Sequence, residues 1–168
     1  MIQDHIHFKS GVLPVGIIIV FSVVMFSCVN SQESGGMTMG KKDEQQIRDV
    51  VKHYFEGSYH GDKARLLRAF HPDAHVVGNF DSNTVDWTRD EFITRATTNP
   101  TQSGRGEAYS KSILSIDSET DAAMVKAKVY AGGHYFTDYI TLLKIDGRWV
   151  IRHKSFTNAS SGRDDMEP

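Results

Sequence analysis

The chain has almost no cysteine and no excess of charge of either sign, and each scarcity excludes a class of protein. Its 168 residues include a single cysteine, Cys28, so the chain cannot form an internal disulfide. The formal net charge is −2, and the 19 basic residues are scattered among 21 acidic ones without the basic stripe that binds phosphates. With 39% hydrophobic residues, the composition predicts one ordinary globular domain with extensions that does not bind nucleic acid.

Several motifs of known chemistry are also missing. There is no Ser/His/Asp or Cys/His arrangement of a nucleophilic enzyme, no phosphate-binding glycine-rich loop and no cofactor fingerprint. His71 and His75 lie four residues apart, but Pro72 breaks any helix between them, so we expect the two imidazoles to diverge. The sequence therefore predicts neither a cofactor nor a metal site.

The amino-terminal segment contains an apolar run that ends at the only cysteine. Residues 11–27 carry no charge, follow Lys9 and precede Cys28. This run is shorter than the roughly 20 residues that cross a bilayer as a helix, which favours a secretory signal peptide. Because Met25-Phe-Ser-Cys28 resembles a bacterial lipobox, we expect a lipoprotein-type signal peptide over residues 1–27, with Cys28 lipidated as the mature first residue in the bacterial cell envelope. An uncleaved signal anchor and an unmodified cysteine are the alternatives.

Polar segments flank the predicted domain on both sides. Residues 28–42 contain a Gly/Ser-rich stretch that is typical of a flexible tether. Residues 157–168 are polar and lack periodicity, which predicts a disordered tail. The domain is therefore expected to span residues 43–156.

Three helices are predicted in the first half of the domain. Apolar residues form one helical stripe over residues 43–57, which predicts a helix that ends at the final glycine. Asp62 is a predicted N-cap of a second, short helix, which Pro72 terminates. The capping-box pattern Thr88–Glu91 predicts a third helix over residues 89–97.

Strands dominate the rest of the domain. Short strands are predicted over residues 75–79 and 84–87, and longer ones over 107–116, 122–131 and 134–145. In the fourth of these, small apolar residues alternate with longer ones, as expected of a strand with one buried face. Helices followed by long antiparallel strands predict an α+β fold, with an apolar pocket between the helices and a curved sheet.

The last long strand continues into a hairpin. Asp146-Gly147 lies between two runs rich in β-branched and aromatic residues and predicts a two-residue type I′ turn. A regular ladder from this turn places eight residues on one mostly apolar face: Phe136, Asp138, Ile140, Leu142, Trp149, Ile151, His153 and Ser155. Asp138 then lies opposite Ser155 and diagonal to His153, so we expect the carboxylate and the imidazole to meet on the buried face.

Five short motifs carry a family resemblance: Tyr54–Asp62, Phe70–Ala74, Phe136–Tyr139, Leu142–Trp149 and Lys154–Phe156. In this order and spacing they resemble the lumazine-binding-like family of the nuclear transport factor 2-like (SnoaL-like) superfamily. The resemblance implies a cone-shaped α+β fold, in which three N-terminal helices pack on a curved, mostly antiparallel sheet. It also implies a pocket between helices and sheet, and a homodimer built through the sheet.

The superfamily contains isomerases, dehydratases, polyketide cyclases and non-catalytic binders, so the fold alone does not decide the function. The position that resembles the catalytic base of the ketosteroid isomerases falls on or next to Gly78, which cannot take a proton. We therefore expect a small-molecule-binding domain without required catalysis, exported and tethered to the membrane, whose unidentified ligand is small and apolar or aromatic. The predicted ligand-binding residues are Tyr54, Phe70, Trp87, Phe136, Asp138, Trp149 and His153.

Two alternative functions stay open. In the first, Asp138 and His153 act as a general base and its orienting partner in a cofactor-independent lyase or isomerase of the dehydratase type. The same two residues would also suit a purely structural role, as the aromatic residues would suit an ordinary core. In the second alternative, the domain is a dimeric interaction module whose cone is filled by its own side chains.

Overall fold

The computed structural model describes residues 40–80 and 83–158. The predicted signal peptide, the lipidation site Cys28, most of the tether and most of the tail lie outside the described residues. Within the described ranges, no helix is long and apolar enough to cross a membrane.

The domain contains three α-helices and one six-stranded sheet in its described part. The helices are α1 (Lys41–His60), α2 (Lys63–Ala69) and α3 (Arg89–Thr97). The strands are β1 (Phe70–Phe80), β2 (Asn83–Thr88), β3 (Lys111–Glu119), β4 (Ala122–Ala131), β5 (His134–Ile145) and β6 (Arg148–Asn158). They lie in the order β2-β1-β6-β5-β4-β3, and every neighbouring pair is antiparallel except β1 with β6. The predicted α+β class, with helices packed on a mostly antiparallel sheet, is confirmed.

Local sequence signals set the helix starts. The Asp62 carboxylate accepts a hydrogen bond from the Arg65 amide at 3.1 Å, as predicted for an N-cap. At the start of α3, Thr88 and Glu91 form the predicted capping box. These caps fix where α2 begins after α1 and where α3 begins after β2.

The prediction that α1 ends at Gly57 is wrong. The helix continues to His60 and is capped by Gly61, whose φ of 70° favours glycine. Gly57 is buried against α2, and a Cβ at that position would lie 2.8 Å from Cγ of Leu66. The glycine therefore permits close packing of the two helices rather than ending the first one.

The core lies between the helices and one face of the sheet. On β4 the predicted alternation is confirmed, since Ala123, Val125, Ala127 and Val129 are all buried. They belong to one apolar cluster with Ile47 and Val51 of α1 and with further residues of β1, β5 and β6. This cluster fixes α1 across the sheet.

The β5–β6 hairpin follows the predicted register only near its turn. Asp146 and Gly147 both have positive φ, and Ile145 pairs with Arg148 as predicted. The ladder is then interrupted: Leu142 pairs with Ile151, but Thr141 pairs with His153, so Arg152 is an extra residue in a β-bulge.

The bulge exchanges the two faces of β6 beyond Ile151. Asp138 pairs with Phe156, not with Ser155 as predicted. Lys154 is buried and His153 is exposed, so the prediction that His153 faces inward beside Asp138 is wrong. A one-residue shift moves every later side chain to the opposite face. The bulge therefore turns His153 outward and Lys154 inward at the same time.

Candidate ligand-binding cavity

A cavity of about 450 Å³ lies between the sheet and the helices α1 and α3. Its size falls within the range of roughly 300 to 1,000 Å³ that is usual for small-molecule sites. The cavity contradicts the alternative of a cone filled by its own side chains. Its aromatic lining comprises Tyr54, Phe80, Trp87, Phe92, Phe136 and Phe156.

The sheet supplies one aromatic wall of this cavity. Phe80 and Phe136 stack with ring centroids 5.9 Å apart and planes inclined by 24°. Trp87 and Phe156 stack in the same way at 6.1 Å, and Phe136 meets Phe156 edge-on at 5.7 Å. Such rings offer flat apolar surface to a planar molecule.

Three buried polar side chains form what we call the inner polar cluster: Tyr54, Asp138 and Lys154. The Tyr54 hydroxyl donates to one Asp138 carboxylate oxygen at 2.7 Å, and the Lys154 ammonium donates to the other at 3.1 Å. Their exposed fractions are only 3%, 1% and 5%, so all three have lost their contact with water. All three nevertheless line the cavity.

Aromatic rings surround the ammonium of Lys154. Its Nζ atom lies 4.6 Å from the ring centroid of Phe156, 5.4 Å from that of Tyr54 and 5.7 Å from that of Phe92. The faces of these rings attract a cation and replace part of its lost hydration. Burial, with the neighbouring charge and hydrogen bond of Asp138, raises the pKa of the Tyr54 phenol well above its usual value. Tyr54 therefore remains a protonated donor to the carboxylate.

A second lysine lies beside the cavity. The Lys111 ammonium donates to the Ser58 hydroxyl at 2.7 Å and to the Phe55 carbonyl at 3.2 Å. Burial lowers the pKa of Lys111 to about 8, although the charge of Asp138 acts in the opposite direction. Ser58 lines the cavity, so Lys111 holds a lining residue in place from behind.

The more exposed polar lining residues form what we call the rim: Arg95, Gln102, Arg105 and His134. The Arg95 guanidinium lies 4.7 Å over the Trp87 ring, and it makes no hydrogen bond or ion pair within residues 40–80 and 83–158. Arg105, in contrast, is paired with the Glu107 carboxylate at 2.7 Å. The amide oxygen of Gln102 is buried without a hydrogen-bond partner in the part of the chain that the structure describes.

Four of the seven predicted ligand-binding residues line the cavity: Tyr54, Trp87, Phe136 and Asp138. The other three do not. Phe70 is 1% exposed and packs edge-on behind Tyr54, with ring centroids 5.6 Å apart. The Trp149 indole donates to Asp43 at 3.0 Å, which ties the first turn of α1 to the sheet, and His153 lies exposed on the other face of β6.

The sequence contained a signal for two lining residues that the prediction missed. On β6 the inward apolar residues Trp149 and Ile151 have odd numbers, whereas the next large apolar residue, Phe156, has an even one. A change of phase in this alternation indicates a bulge between the two sets. Applied to the hairpin, it would have placed Lys154 and Phe156 in the cavity.

The two histidines considered for metal binding have other partners. His75 Nδ1 lies 2.9 Å from an Asp86 carboxylate oxygen, and His71 Nδ1 accepts from Arg152 at 2.8 Å. In the described ranges, no group of three or more His, Cys, Asp or Glu side chains is arranged to hold a metal. Gly78 is buried against the backbone of Phe156, which leaves no room for a side chain at that position.

Solved structures share this fold. A nuclear transport factor 2-like protein of unknown function from Shewanella baltica OS155 is 24% identical, with a TM-score of 0.63 over 71% of this chain and 96% of that one. A similar protein from Silicibacter pomeroyi DSS-3 is 23% identical, with a TM-score of 0.61 over 70% of this chain and 97% of that one. No curated protein sequence matches this chain.

A family model matches most of the chain directly. The model described as "Putative lumazine-binding" matches residues 42–157, which contain every helix and strand from α2 to β5 and nearly all of α1 and β6. The match includes all five motifs on which the resemblance to this family was based. The chain belongs to the family that this model describes as "Putative lumazine-binding", and it shares the fold of the nuclear transport factor 2-like structures.

Proposed function

We propose that the domain binds a small, largely aromatic molecule in the cavity between the sheet and the helices. The observation that carries this proposal is a cavity of about 450 Å³ lined by six aromatic side chains. A well-formed apolar pocket with a few polar groups is the usual form of a small-molecule site. The description of the family as lumazine-binding also supports a small ligand.

The inner polar cluster suits binding better than the acid–base pair first considered. His153 lies on the exposed face of β6, so it cannot orient Asp138. Both carboxylate oxygens of Asp138 already accept hydrogen bonds, one from Tyr54 and one from Lys154. Asp138 is therefore already engaged on both oxygens by side chains of the protein itself.

Native mass spectrometry of the purified domain tests the proposal, because it retains and weighs copurified ligands. We expect additional mass on the wild-type protein that is lost in Ala131→Phe, since Ala131 lines the cavity. Ala122→Phe is the matched control, because Ala122 is exposed on the same strand and does not line the cavity. Equal occupancy in the two variants would overturn the proposal.

We also propose that the protein is exported and lipid-anchored through Cys28 in the bacterial cell envelope. The support is the apolar run that ends in a lipobox-like sequence, followed by a Gly/Ser-rich tether. Labelling cells with a fatty-acid analogue tests this. We expect label on the wild-type protein and none on Cys28→Ala, and equal labelling would contradict the proposal.

We further propose a homodimer formed through the outer face of the sheet. Met124 is 51% exposed and Tyr139 is 41% exposed, and the two lie on the same face, since each is paired with an outward residue of the neighbouring strand. Exposed apolar residues clustered on a sheet are typical of an interface. Sedimentation analysis should show a dimer that Met124→Glu dissociates, whereas a wild-type monomer would refute the proposal.

A further inference from the structure

Among the described residues, Arg95 is a cation of the cavity lining that has no counter-charge. Lys154 is paired with Asp138, and Arg105 is paired with Glu107. Arg95 also lines the cavity, yet no carboxylate of the described residues lies within ion-pairing distance of its guanidinium.

The nearest acidic candidate on α3 is already engaged. Glu91 lies one turn before Arg95, but its carboxylate accepts from the Thr88 amide at 2.9 Å and from the Thr88 hydroxyl at 2.8 Å. The charge of Arg95 makes only a minor contribution to the lowered pKa of Glu91, after those two hydrogen bonds. In the part of the chain that the structure describes, the fork of donors on Arg95 thus has no acceptor.

The guanidinium of Arg95 packs over an aromatic ring. Its guanidinium lies 4.7 Å over Trp87, and Trp87 itself stacks on Phe156 within the aromatic wall. A planar guanidinium held in this way presents its N–H edge to a carboxylate, which it can bind with two parallel hydrogen bonds. The same wall offers a flat apolar surface next to that edge.

We propose that the ligand is a planar aromatic acid, with its rings against the aromatic wall and its anionic group on Arg95. This inference rests on the proposed binding function and specifies the chemical class of the ligand. It assigns Arg95 as the residue that selects anionic over neutral aromatic molecules.

Two fluorescent dyes with the same rings test the proposal. The probe 8-anilinonaphthalene-1-sulfonate carries an anionic group, and N-phenyl-1-naphthylamine lacks it. We expect Arg95→Gln to weaken binding of the sulfonate dye by about tenfold or more, as for loss of a hydrogen bond to a charged group. Binding of the neutral dye should weaken by less than about twofold. Arg95→Lys keeps the charge but loses the planar fork, so its affinity for the sulfonate dye should lie between those of wild type and Arg95→Gln.

Arg68→Gln is the matched control, because Arg68 is exposed on α2 and does not line the cavity. It makes the same change in net charge, so we expect both affinities to stay at the wild-type value. An equal effect of Arg68→Gln and Arg95→Gln on the sulfonate dye would show a general charge effect and overturn the inference.

Ala131→Phe separates this inference from the proposed function. If it abolishes binding of both dyes while Arg95→Gln leaves the sulfonate dye unaffected, the cavity binds ligands and the inference about the anion is wrong. If Ala131→Phe changes neither affinity, or neither dye binds to the wild-type protein, the proposed function fails and the inference fails with it.

Discussion

Lys154 and Arg95 both line the cavity beside aromatic rings, and their surroundings differ. Lys154, in the inner polar cluster, lies 4.6 Å from the Phe156 ring and also donates to the Asp138 carboxylate. Arg95, on the rim, lies 4.7 Å over Trp87 and has no acidic partner among the described residues. The two sites differ in burial, in the number of rings around the cation and in the carboxylate, which Lys154 has and Arg95 lacks among the described residues.

Burial explains why Lys154 has an internal partner whereas Arg95 has none among the described residues. A charge removed from water is strongly destabilising unless a counter-charge and hydrogen bonds accompany it. An exposed charge needs no such partner, because water solvates it. The inner polar cluster is therefore expected to stabilise the fold, whereas the rim is free to serve a ligand.

The largest expected effect comes from breaking the inner polar cluster. Lys154→Met leaves the Asp138 carboxylate buried without its counter-ion, which should lower the free energy of unfolding by about 3–5 kcal/mol. Urea denaturation measures this loss. The double variant Lys154→Met/Asp138→Asn removes both charges and should recover at least half of it.

His153→Ala is the control for this prediction. His153 is adjacent to Lys154 in the chain but exposed on the opposite face, so its loss should change stability by less than about 0.5 kcal/mol. If His153→Ala were as destabilising as Lys154→Met, the bulge and the inward orientation of Lys154 would both be wrong.

A smaller loss of stability is expected when the other hydrogen-bond donor to Asp138, Tyr54, is removed. Tyr54→Phe removes one hydrogen bond to a buried carboxylate and should cost about 1.5–3 kcal/mol. Tyr59→Phe offers a comparison, because its hydroxyl donates at 2.8 Å to the neutral Glu107 carbonyl in a part-buried position. We expect this second loss of stability to be about 1 kcal/mol, measured by the same denaturation, and equal losses in the two variants would contradict the stronger hydrogen bond to Asp138.

Lys111 should make the stability of the fold change with pH between about 7 and 9.5. Its pKa is about 8 in the folded protein against an ordinary 10.5, so above pH 8 the folded protein releases this proton before the unfolded chain does. The unfolded chain then binds more protons, and stability rises with pH. From pH 7 to 9.5 we expect a gain of about 1 kcal/mol, reduced from the full shift by partial exposure.

Lys111→Met should remove this rise, because no proton is then released on folding at this position. The window must end below pH 10, where the raised pKa of Tyr54 acts in the opposite direction. There the unfolded chain loses the phenol proton while the folded protein keeps it, so stability falls. An unchanged slope between pH 7 and 9.5 in Lys111→Met would contradict the assignment.

Local signals in the sequence predicted much of the fold. A capping box, an N-cap aspartate and an Asp-Gly turn each act over a few residues, and each holds in the structure. The alternation along β4 holds for the same reason, since it depends only on which face of one strand is buried. Such features need no knowledge of the rest of the chain.

The site was harder to predict because its contacts are long-range. Tyr54 and Asp138 are 84 residues apart, and no periodicity specifies that the two will meet. Arg95 and Gln102 reach the cavity only because α3 and the loop after it fold over the aromatic wall. A regular ladder placed His153 beside Asp138, and the single extra residue Arg152 reversed that result.

The smallest expected effect concerns Gln102 on the rim, whose buried amide oxygen has no partner among the described residues. Gln102→Met removes a desolvated polar group, so stability should stay unchanged or rise by about 0.5 kcal/mol. Gln46→Met is matched to it, because the Gln46 amide oxygen is also buried without a described partner but does not line the cavity. Both variants should be at least as stable as wild type by urea denaturation, while only Gln102→Met should alter dye affinity. A loss of stability in Gln102→Met that Gln46→Met does not share would mean that this rim residue holds the fold together, and the contrast between the inner polar cluster and the rim would then fail.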